Sequence, residues 1–104
     1  MLELRPNCQL CDRDLPPTAK DARICSYECT YCADCVDTVL HDVCPSCGGN
    51  FVPRPIRPVA EWRLGSGLGL RHDPASTERR HTTRSREDIE SFAQRIRGIA
   101  PDER

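Results

Sequence analysis

Eight cysteines dominate the chemistry available to this chain of 104 residues, and all of them lie within its first 47. They are Cys8, Cys11, Cys25, Cys29, Cys32, Cys35, Cys44 and Cys47. Most of them form Cys-x2-Cys pairs, and such a turn lets both sulfurs reach one ion while the backbone folds beneath it. Two tetrahedral sulfur sites need eight thiolates, so the count and the spacing predict two bound Zn²⁺ ions.

Disulfides and an iron–sulfur cluster are the alternatives to zinc. Disulfide frameworks in secreted proteins use similar cysteine spacings. The run Cys29-x2-Cys32-x2-Cys35 makes up three quarters of a ferredoxin-type cluster motif. However, eight residues separate Cys35 from Cys44, where that motif has three, and four cysteines would be left over. Zinc therefore remains the expected metal.

The cellular location is inferred from segments that the sequence lacks. The first six residues carry no basic start followed by an apolar stretch, so we expect no secretory signal. No apolar run approaches the length that crosses a membrane, so we expect no membrane partner. A reducing compartment favours metal binding over disulfides, and we therefore expect a cytoplasmic zinc protein.

Short structural elements must position these sulfurs. Residues 22–31 predict a short hairpin whose Ile24 and Tyr31 point inward. Residues 33–41 place their apolar side chains on one face and predict a helix of about two turns. The apolar residues of this half are too few to offset the ordering entropy of about fifty residues without bound metal. The prediction is a small zinc-stabilised α+β domain over residues 1–53.

The rest of the chain differs in composition and in charge. Residues 1–50 hold four basic and eight acidic side chains, whereas residues 54–86 hold eight arginines and three acids. The prolines, glycines and arginines predict an extended linker over residues 54–84. The basic 54–86 segment suggests contacts either with nucleic-acid phosphates or with the acidic zinc domain itself.

A helix is predicted near the C-terminus. Ser85 and the acids that follow it resemble a capping box. The apolar residues at helical spacing are Ile89, Phe92, Ala93 and Ile96. We expect an amphipathic helix within residues 85–99 and a disordered end at residues 100–104. Because so short a helix is marginal alone, its apolar stripe needs either the zinc domain or a second copy of the chain in a homodimer.

The spacing leaves two ways of sharing the cysteines between two ions. In a sequential order, the first four cysteines bind one ion and the last four bind the other. In an interleaved order, the first and third pairs share one ion, and the second and fourth pairs share the other. Spacing alone does not decide between them.

The order of the ligands resembles that of a RING finger. The resemblance rests on Leu10 before Cys11, Tyr31 before Cys32, Val36 after Cys35, and the Cys44-Pro45-x-Cys47 ending. It implies the interleaved cross-brace, with Cys8, Cys11, Cys32 and Cys35 in site 1 and Cys25, Cys29, Cys44 and Cys47 in site 2. The sequence departs from the RING pattern at Cys29, where a histidine is usual, and at Gly48, where ubiquitin ligases often carry a basic residue.

A closer resemblance is to a small family of bacterial cysteine-rich proteins of unknown function. The shared features are the start from Met1 to Cys8, the Arg23-Ile24-Cys25-Ser26-x-Glu28-Cys29-Thr30-x-Cys32 core and the Cys44-Pro45-x-Cys47-Gly48-Gly49 ending. The resemblance implies a bacterial source and a zinc domain, and it brings no activity with it.

We expect a non-enzymatic zinc-finger module whose ions are structural and which binds a protein partner. All eight sulfurs are used in closed sites, so no coordination position is left for a catalytic water. One alternative is a RING-type ubiquitin-ligase-like adaptor that would hold a conjugating enzyme through Leu10, residues 36–40 and Pro45. The other alternative is a nucleic-acid-binding protein that uses the 54–86 arginines.

Overall fold

A three-stranded antiparallel sheet forms the centre of the cysteine-rich half in the computed structural model, which describes residues 1–104. Its strands are β1 (Ala22–Ile24), β2 (Thr30–Cys32) and β3 (Val52–Pro53), in the order β2-β1-β3. Ala22 lies opposite Cys32, and Ile24 lies opposite Thr30. The sheet therefore carries one metal-ligand candidate at the end of β2.

The predicted hairpin is confirmed, but only one of its two expected inward residues is fully buried. Tyr31 has no exposed surface, and its ring meets that of Phe51 edge-on with 5.5 Å between the ring centroids. Ile24 is half-buried, whereas Ala22 is the buried residue of β1. Strands of three residues are too short for a polar–apolar alternation to determine which residues face inward.

A helical segment follows β2 without a loop. Helix α1 (Ala33–Cys35) begins at Cys32, whose Sγ accepts a hydrogen bond from the backbone N–H of the last α1 residue. The chain continues as a wide π-helical turn over Val36–Leu40, which ends at His41 in the left-handed conformation (φ 50°). The helix expected over residues 33–41 is thus present, with its second half wider than an α-helix.

The core consists largely of cysteines. Its main cluster has 12 buried residues, and five of them are cysteine. They are Cys8, Leu15, Ala22, Cys25, Tyr31, Cys32, Cys35, Val36, Leu40, Cys44, Phe51 and Ile89. The apolar side chains therefore surround the sulfur clusters and form no separate core, which agrees with the zinc-stabilised α+β domain predicted from composition.

Residues 54–84, which we expected to be an extended linker, contain no helix or strand but are bound to the cysteine-rich half. Arg54 is only 4% exposed, and its guanidinium donates to the carbonyl oxygens of Arg5, Leu15 and Pro16. Composition predicts an extended linker, but it cannot show that a buried arginine anchors the start of this segment.

The end of the same segment lies beside the N-terminus. The backbone N–H of Ser76 donates to the carbonyl of Leu4, and that of Thr82 donates to the carbonyl of Gln9. Between these two contacts, Arg80 donates its backbone N–H to the side chain of Asn7. This end of the 54–84 segment, here called the tail, therefore runs parallel to the first residues of the chain and stays close to the first cysteine pair.

Helix α2 (Arg86–Ile96) confirms the C-terminal helix and its cap. Ser85 accepts a hydrogen bond on Oγ from the backbone N–H of Asp88 at 3.1 Å. Ile89 and Ala93 are each 1% exposed because α2 packs against the π-helical turn of the same chain. The apolar stripe is thus covered within one molecule.

The last residues also have a defined conformation. Pro101–Glu103 form a 3₁₀ turn, and Arg104 donates to the carbonyl oxygens of Asp42 and Gly48. Residues 100–104 were expected to be disordered, because their charges give them no apolar contact to make. Backbone carbonyls of the cysteine-rich half supply the partners instead.

Along the whole chain, no helix combines the length and the apolarity that crossing a bilayer requires.

Candidate metal centre

The first sulfur cluster joins two distant parts of the chain. The Sγ atoms of Cys8, Cys11, Cys32 and Cys35 all lie within 4.8 Å of one another. The first two come from the N-terminal turn, and the other two come from β2 and α1. Cys25 lies between these two pairs in the sequence but belongs to the second cluster, described below. The cysteines are therefore grouped in the interleaved order.

One sulfur–sulfur distance in the first cluster matches that of a tetrahedral zinc site. Cys11 Sγ and Cys32 Sγ are 3.7 Å apart. Two sulfurs bound at about 2.3 Å to one tetrahedral ion would be separated by about 3.8 Å, whereas a disulfide bond is only about 2.05 Å long. All eight cysteines are free thiols here. The donor set and the spacing thus fit a soft divalent metal such as Zn²⁺ and not a cystine bridge.

The second cluster groups cysteines from the β1–β2 turn and from the segment after the π-helical turn. The Sγ atoms of Cys25, Cys44 and Cys47 lie within 4.8 Å of one another. Cys29 lies outside that group, although Cys25 and Cys44 are close enough to influence the pKa of its thiol. Three sulfurs are therefore assembled, and the fourth expected ligand lies near them.

Two turns with the same backbone geometry present the first and last cysteine pairs. Cys8 N–H donates to the carbonyl five residues ahead, and its own carbonyl accepts from Asp12 N–H. Cys44 makes the same two hydrogen bonds, with Gly48 in place of Asp12. Asp12 and Gly48 both adopt the left-handed backbone conformation, with φ 68° and 79° respectively. Glycine adopts such a φ without strain, which explains the Cys-x2-Cys-Gly ending.

Backbone N–H groups also point at the sulfurs. The backbone N–H of Cys11 donates to Cys8 Sγ, that of Tyr27 to Cys25 Sγ, and that of Gly49 to Cys47 Sγ. Donors aimed at sulfur stabilise the thiolate, which is the form that binds a metal. The turns thus place a backbone N–H donor beside each of these three sulfurs and help to orient them.

Without a cation, the crowded sulfurs cannot all ionise. Hydrogen bonds from Cys29 and Cys44 lower the pKa of Cys25 to about 2, and the contact with Cys25 raises the pKa of both of those neighbours. In the first cluster, burial raises the pKa of Cys32 and of Cys35. In the absence of a metal, some of these thiols therefore keep their protons. A bound divalent ion would displace those protons.

Tyr31 lies close to both clusters. Its hydroxyl is buried and has no hydrogen-bond partner. Burial raises the pKa of Tyr31, and nearby thiolates from both clusters raise it further. The phenol stays neutral, and Tyr31 is the largest of the fully buried side chains.

Asn7 is a site residue that sequence reasoning missed. It is fully buried, and its amide donates to the carbonyls of Cys8 and Arg80 and to the carboxylate of Asp12. It thereby joins the first cysteine turn to the tail. The only available signal was an asparagine directly before the first cysteine, a position that spacing arguments leave unexamined.

Acidic side chains beside the first turn bind the basic tail. Arg79 donates to the carboxylates of Asp12 and Asp14 at 2.7–3.1 Å, and Arg80 donates to that of Glu3. The hydrogen bond from Arg79 lowers the pKa of Asp12. Of the two contacts considered for the 54–86 segment, the one with the acidic domain is therefore present within the molecule.

Fold and sulfur clusters together define a small α+β protein with two groups of cysteines, each of which could hold a metal ion. The chain belongs to the family described as Protein of unknown function (DUF1272), whose model matches residues 1–57. The resemblance to a bacterial cysteine-rich family of unknown function is thus confirmed.

A similar protein is "Uncharacterized protein R02474" of Rhizobium meliloti (strain 1021). It is 53% identical over 79 residues, which cover 76% of this chain and 84% of that protein. This alignment is longer than the family region and therefore includes residues beyond Arg57. No solved structure matches this chain.

Proposed function

We propose that this protein is a non-enzymatic zinc-binding module, with two structural Zn²⁺ ions in a RING-like cross-brace and a surface that binds a protein partner. The observation that carries the proposal is the first cluster, whose four sulfurs from two chain segments lie within 4.8 Å, with one pair 3.7 Å apart. Four thiolates complete the tetrahedral shell of Zn²⁺, and such closed sites stabilise folds.

The composition of the core supports a structural role for the ions. Since five of its 12 buried residues are cysteines, the core loses its centre if the sulfurs separate. A structural zinc ion contributes on the order of 10 kcal/mol of apparent binding free energy at neutral pH. That is enough to fold a domain of this size whose apolar core is small.

The ligase alternative receives no support from the arrangement of the chain. The surface that it would need includes residues 36–40 and Pro45. Val36, Leu40 and Pro45 are buried, and α2 packs against the π-helical turn. A conjugating enzyme would have to displace that helix.

The nucleic-acid alternative loses most of the charges on which it rests. Arg54 and Arg57 donate to backbone carbonyls, and Arg79, Arg80 and Arg84 pair with carboxylates of the same chain. Three of the eight arginines counted in that segment remain without such partners. In that segment, only Arg63, Arg71 and Arg86 form neither an ion pair nor a side-chain hydrogen bond to a backbone carbonyl.

Metal analysis and chelation test the proposal together. Native mass spectrometry of protein purified without added metal should find two zinc ions per chain. Excess EDTA should then abolish the dispersed amide NMR spectrum, and added Zn²⁺ should restore it. A metal-free chain that keeps a dispersed spectrum and a cooperative thermal transition would contradict a structural role.

A further inference from the structure

The loop between Arg57 and Asp73, here called the tip loop, is an ordered protrusion. It is closed at its base because Arg57 donates through Nη1 to the carbonyl of Asp73 at 2.8 Å. A second closure joins the backbone N–H of Leu70 to the carbonyl of Pro58 at 2.8 Å. Its ends are therefore held together, and the residues between them form a compact loop on the surface.

The tip loop exposes large apolar side chains. Leu64 is 92% exposed, Trp62 82% and Leu68 63%, and Val59 adds a fourth at 53%. Folded proteins rarely leave several large apolar groups in water on one short segment unless that segment meets another surface. The same residues make no contribution to the core of this chain.

The glycine-containing part of the tip loop, residues 65–68, is hydrogen-bonded within the loop. The carboxylate of Glu61 accepts from the N–H groups of Gly65 and Gly67, at 3.4 and 2.7 Å. Ser66 donates its N–H to the carbonyl of Arg63, and its hydroxyl accepts from the N–H of Leu68. The N–H groups of residues 65–68 are thus all paired within the loop, which lowers the cost of moving this part of the loop into an apolar environment.

The charge of the tip loop is positive and partly unpaired. Arg63 and Arg71 are exposed and form no ion pair. The one acid within the loop, Glu61, is occupied by the two backbone donors and by His72 Nε2 at 3.3 Å. The apolar tip is thus accompanied by two arginines that form no ion pair.

We infer that the tip loop binds the surface of an anionic lipid bilayer, with Trp62, Leu64 and Leu68 in the interface and with Arg63 and Arg71 beside the lipid headgroups. Tryptophan favours the bilayer interface, and arginine is attracted to anionic lipids. Four exposed apolar side chains favour this occupant over nucleic acid. Peripheral binding of this kind needs no membrane-spanning segment, and it is independent of the metal role proposed above.

Trp62 is the only tryptophan of the chain and is itself the reporter for the test. The zinc-loaded full chain is titrated with vesicles of equal parts phosphatidylglycerol and phosphatidylcholine, and with vesicles of phosphatidylcholine alone. We expect the emission of Trp62 to shift to the blue with the anionic vesicles and to shift much less with the neutral ones. Zinc content is measured on the same samples to show whether the metal sites are loaded. A lack of lipid binding can then be told apart from a failure of the metal sites.

Two double variants separate the tip loop from overall charge. Arg63→Ala with Arg71→Ala should lower vesicle partitioning by about tenfold or more, since each basic residue near an anionic surface strengthens binding by about fivefold. Arg86→Ala with Arg97→Ala removes the same charge from α2 and should change partitioning by less than about threefold. Leu64→Ser with Leu68→Ser should abolish the blue shift while Trp62 remains in place.

Three results would overturn the inference. One is an unchanged Trp62 spectrum with anionic vesicles. Another is an equal loss of partitioning in the Arg86 and Arg97 double variant, which would indicate non-specific attraction. The third is quenching of Trp62 by a single-stranded oligonucleotide, with no response to vesicles, which would assign the tip loop to nucleic acid.

Discussion

Single cysteine residues connect the structural elements of this protein to its candidate metal sites. Cys32 ends β2, begins α1 and lies 3.7 Å from Cys11. One residue thus belongs to a strand, a helix cap and a candidate metal site at once. Arg54 is the corresponding polar anchor, since it is buried and bound to three carbonyls of the N-terminal half.

Replacing single cysteines should remove single metal ions. Cys32→Ser should bind one zinc ion fewer than the wild type, because a hydroxyl is a poor substitute for a thiolate at a soft metal site. Cys29→Ser should lose the other ion if Cys29 completes the second cluster. Native mass spectrometry gives the count directly. Ser46→Ala, at an exposed position between two ligand cysteines, is the matched control and should keep both ions.

Removing Arg54 should destabilise the fold. Burial lowers the pKa of the Arg54 guanidinium without discharging it, so it remains a charged donor to three carbonyls. Arg54→Ala leaves those acceptors without their partner and should lower the free energy of unfolding by about 2–4 kcal/mol. Urea unfolding in excess zinc measures this. The exposed Arg86→Ala should change the same quantity by less than about 0.5 kcal/mol, and equal losses in the two variants would refute the anchor.

At the scale of elements, α2 completes the cysteine-rich half of the molecule. A Cβ atom at Gly48 would lie 3.2 Å from the Cδ1 of Ile96, so the last cysteine turn and the helix are in close contact. Phe92 borders the same glycine and carries the guanidinium of Arg95 over its ring at 5.4 Å. The helix therefore lies against the turn that holds two ligand cysteines. The possible homodimer through its apolar stripe stays a prediction.

Shortening Ile89 should weaken this contact. The side chain is 1% exposed and belongs to the main core cluster. Ile89→Ala should therefore lower the free energy of unfolding by about 2–4 kcal/mol, through lost burial and the cavity left behind. Thermal and urea unfolding at fixed zinc concentration provide the measurement. Glu90→Ala, one position along on the exposed face, is the control, and similar stabilities in the two variants would show that α2 is not docked in solution.

For the whole molecule, metal binding links folding to pH. A free thiol has a pKa of about 8.5, and metal binding depresses that value because the bound form is a thiolate. The folded pKa is then lower than the unfolded one, so the stabilisation is present at neutral pH and is lost as the pH falls. Lowering the pH should therefore favour the protonated, metal-free chain.

Acidification should release zinc and unfold the chain in one transition. We expect far-ultraviolet circular dichroism and a zinc-sensitive dye to report the same midpoint between about pH 6 and about pH 3. Added zinc should move that midpoint to lower pH, because mass action favours the bound state. A midpoint that does not depend on zinc concentration would contradict the link between metal and fold.

The sequence alone was sufficient for the features that depend on local spacing. Eight cysteines in Cys-x2-Cys turns predict metal sites because a turn of that length brings two sulfurs together whatever the rest of the fold does. Ser85 and the apolar period after it predicted a helix within residues 85–99, and α2 lies inside that range, since capping and helical spacing are local properties. The short hairpin was found for the same reason.

Only the tertiary structure decided how those features combine. Which cysteines share a site depends on β2 and the first turn meeting across 21 residues of sequence, and spacing is equally compatible with a sequential order. Composition described residues 54–84 as a linker, yet Arg54, Asn7 and the carboxylates around Asp12 hold that segment against the cysteine-rich half. Contacts between residues far apart in the chain depend on shape and burial, which a one-dimensional pattern does not contain.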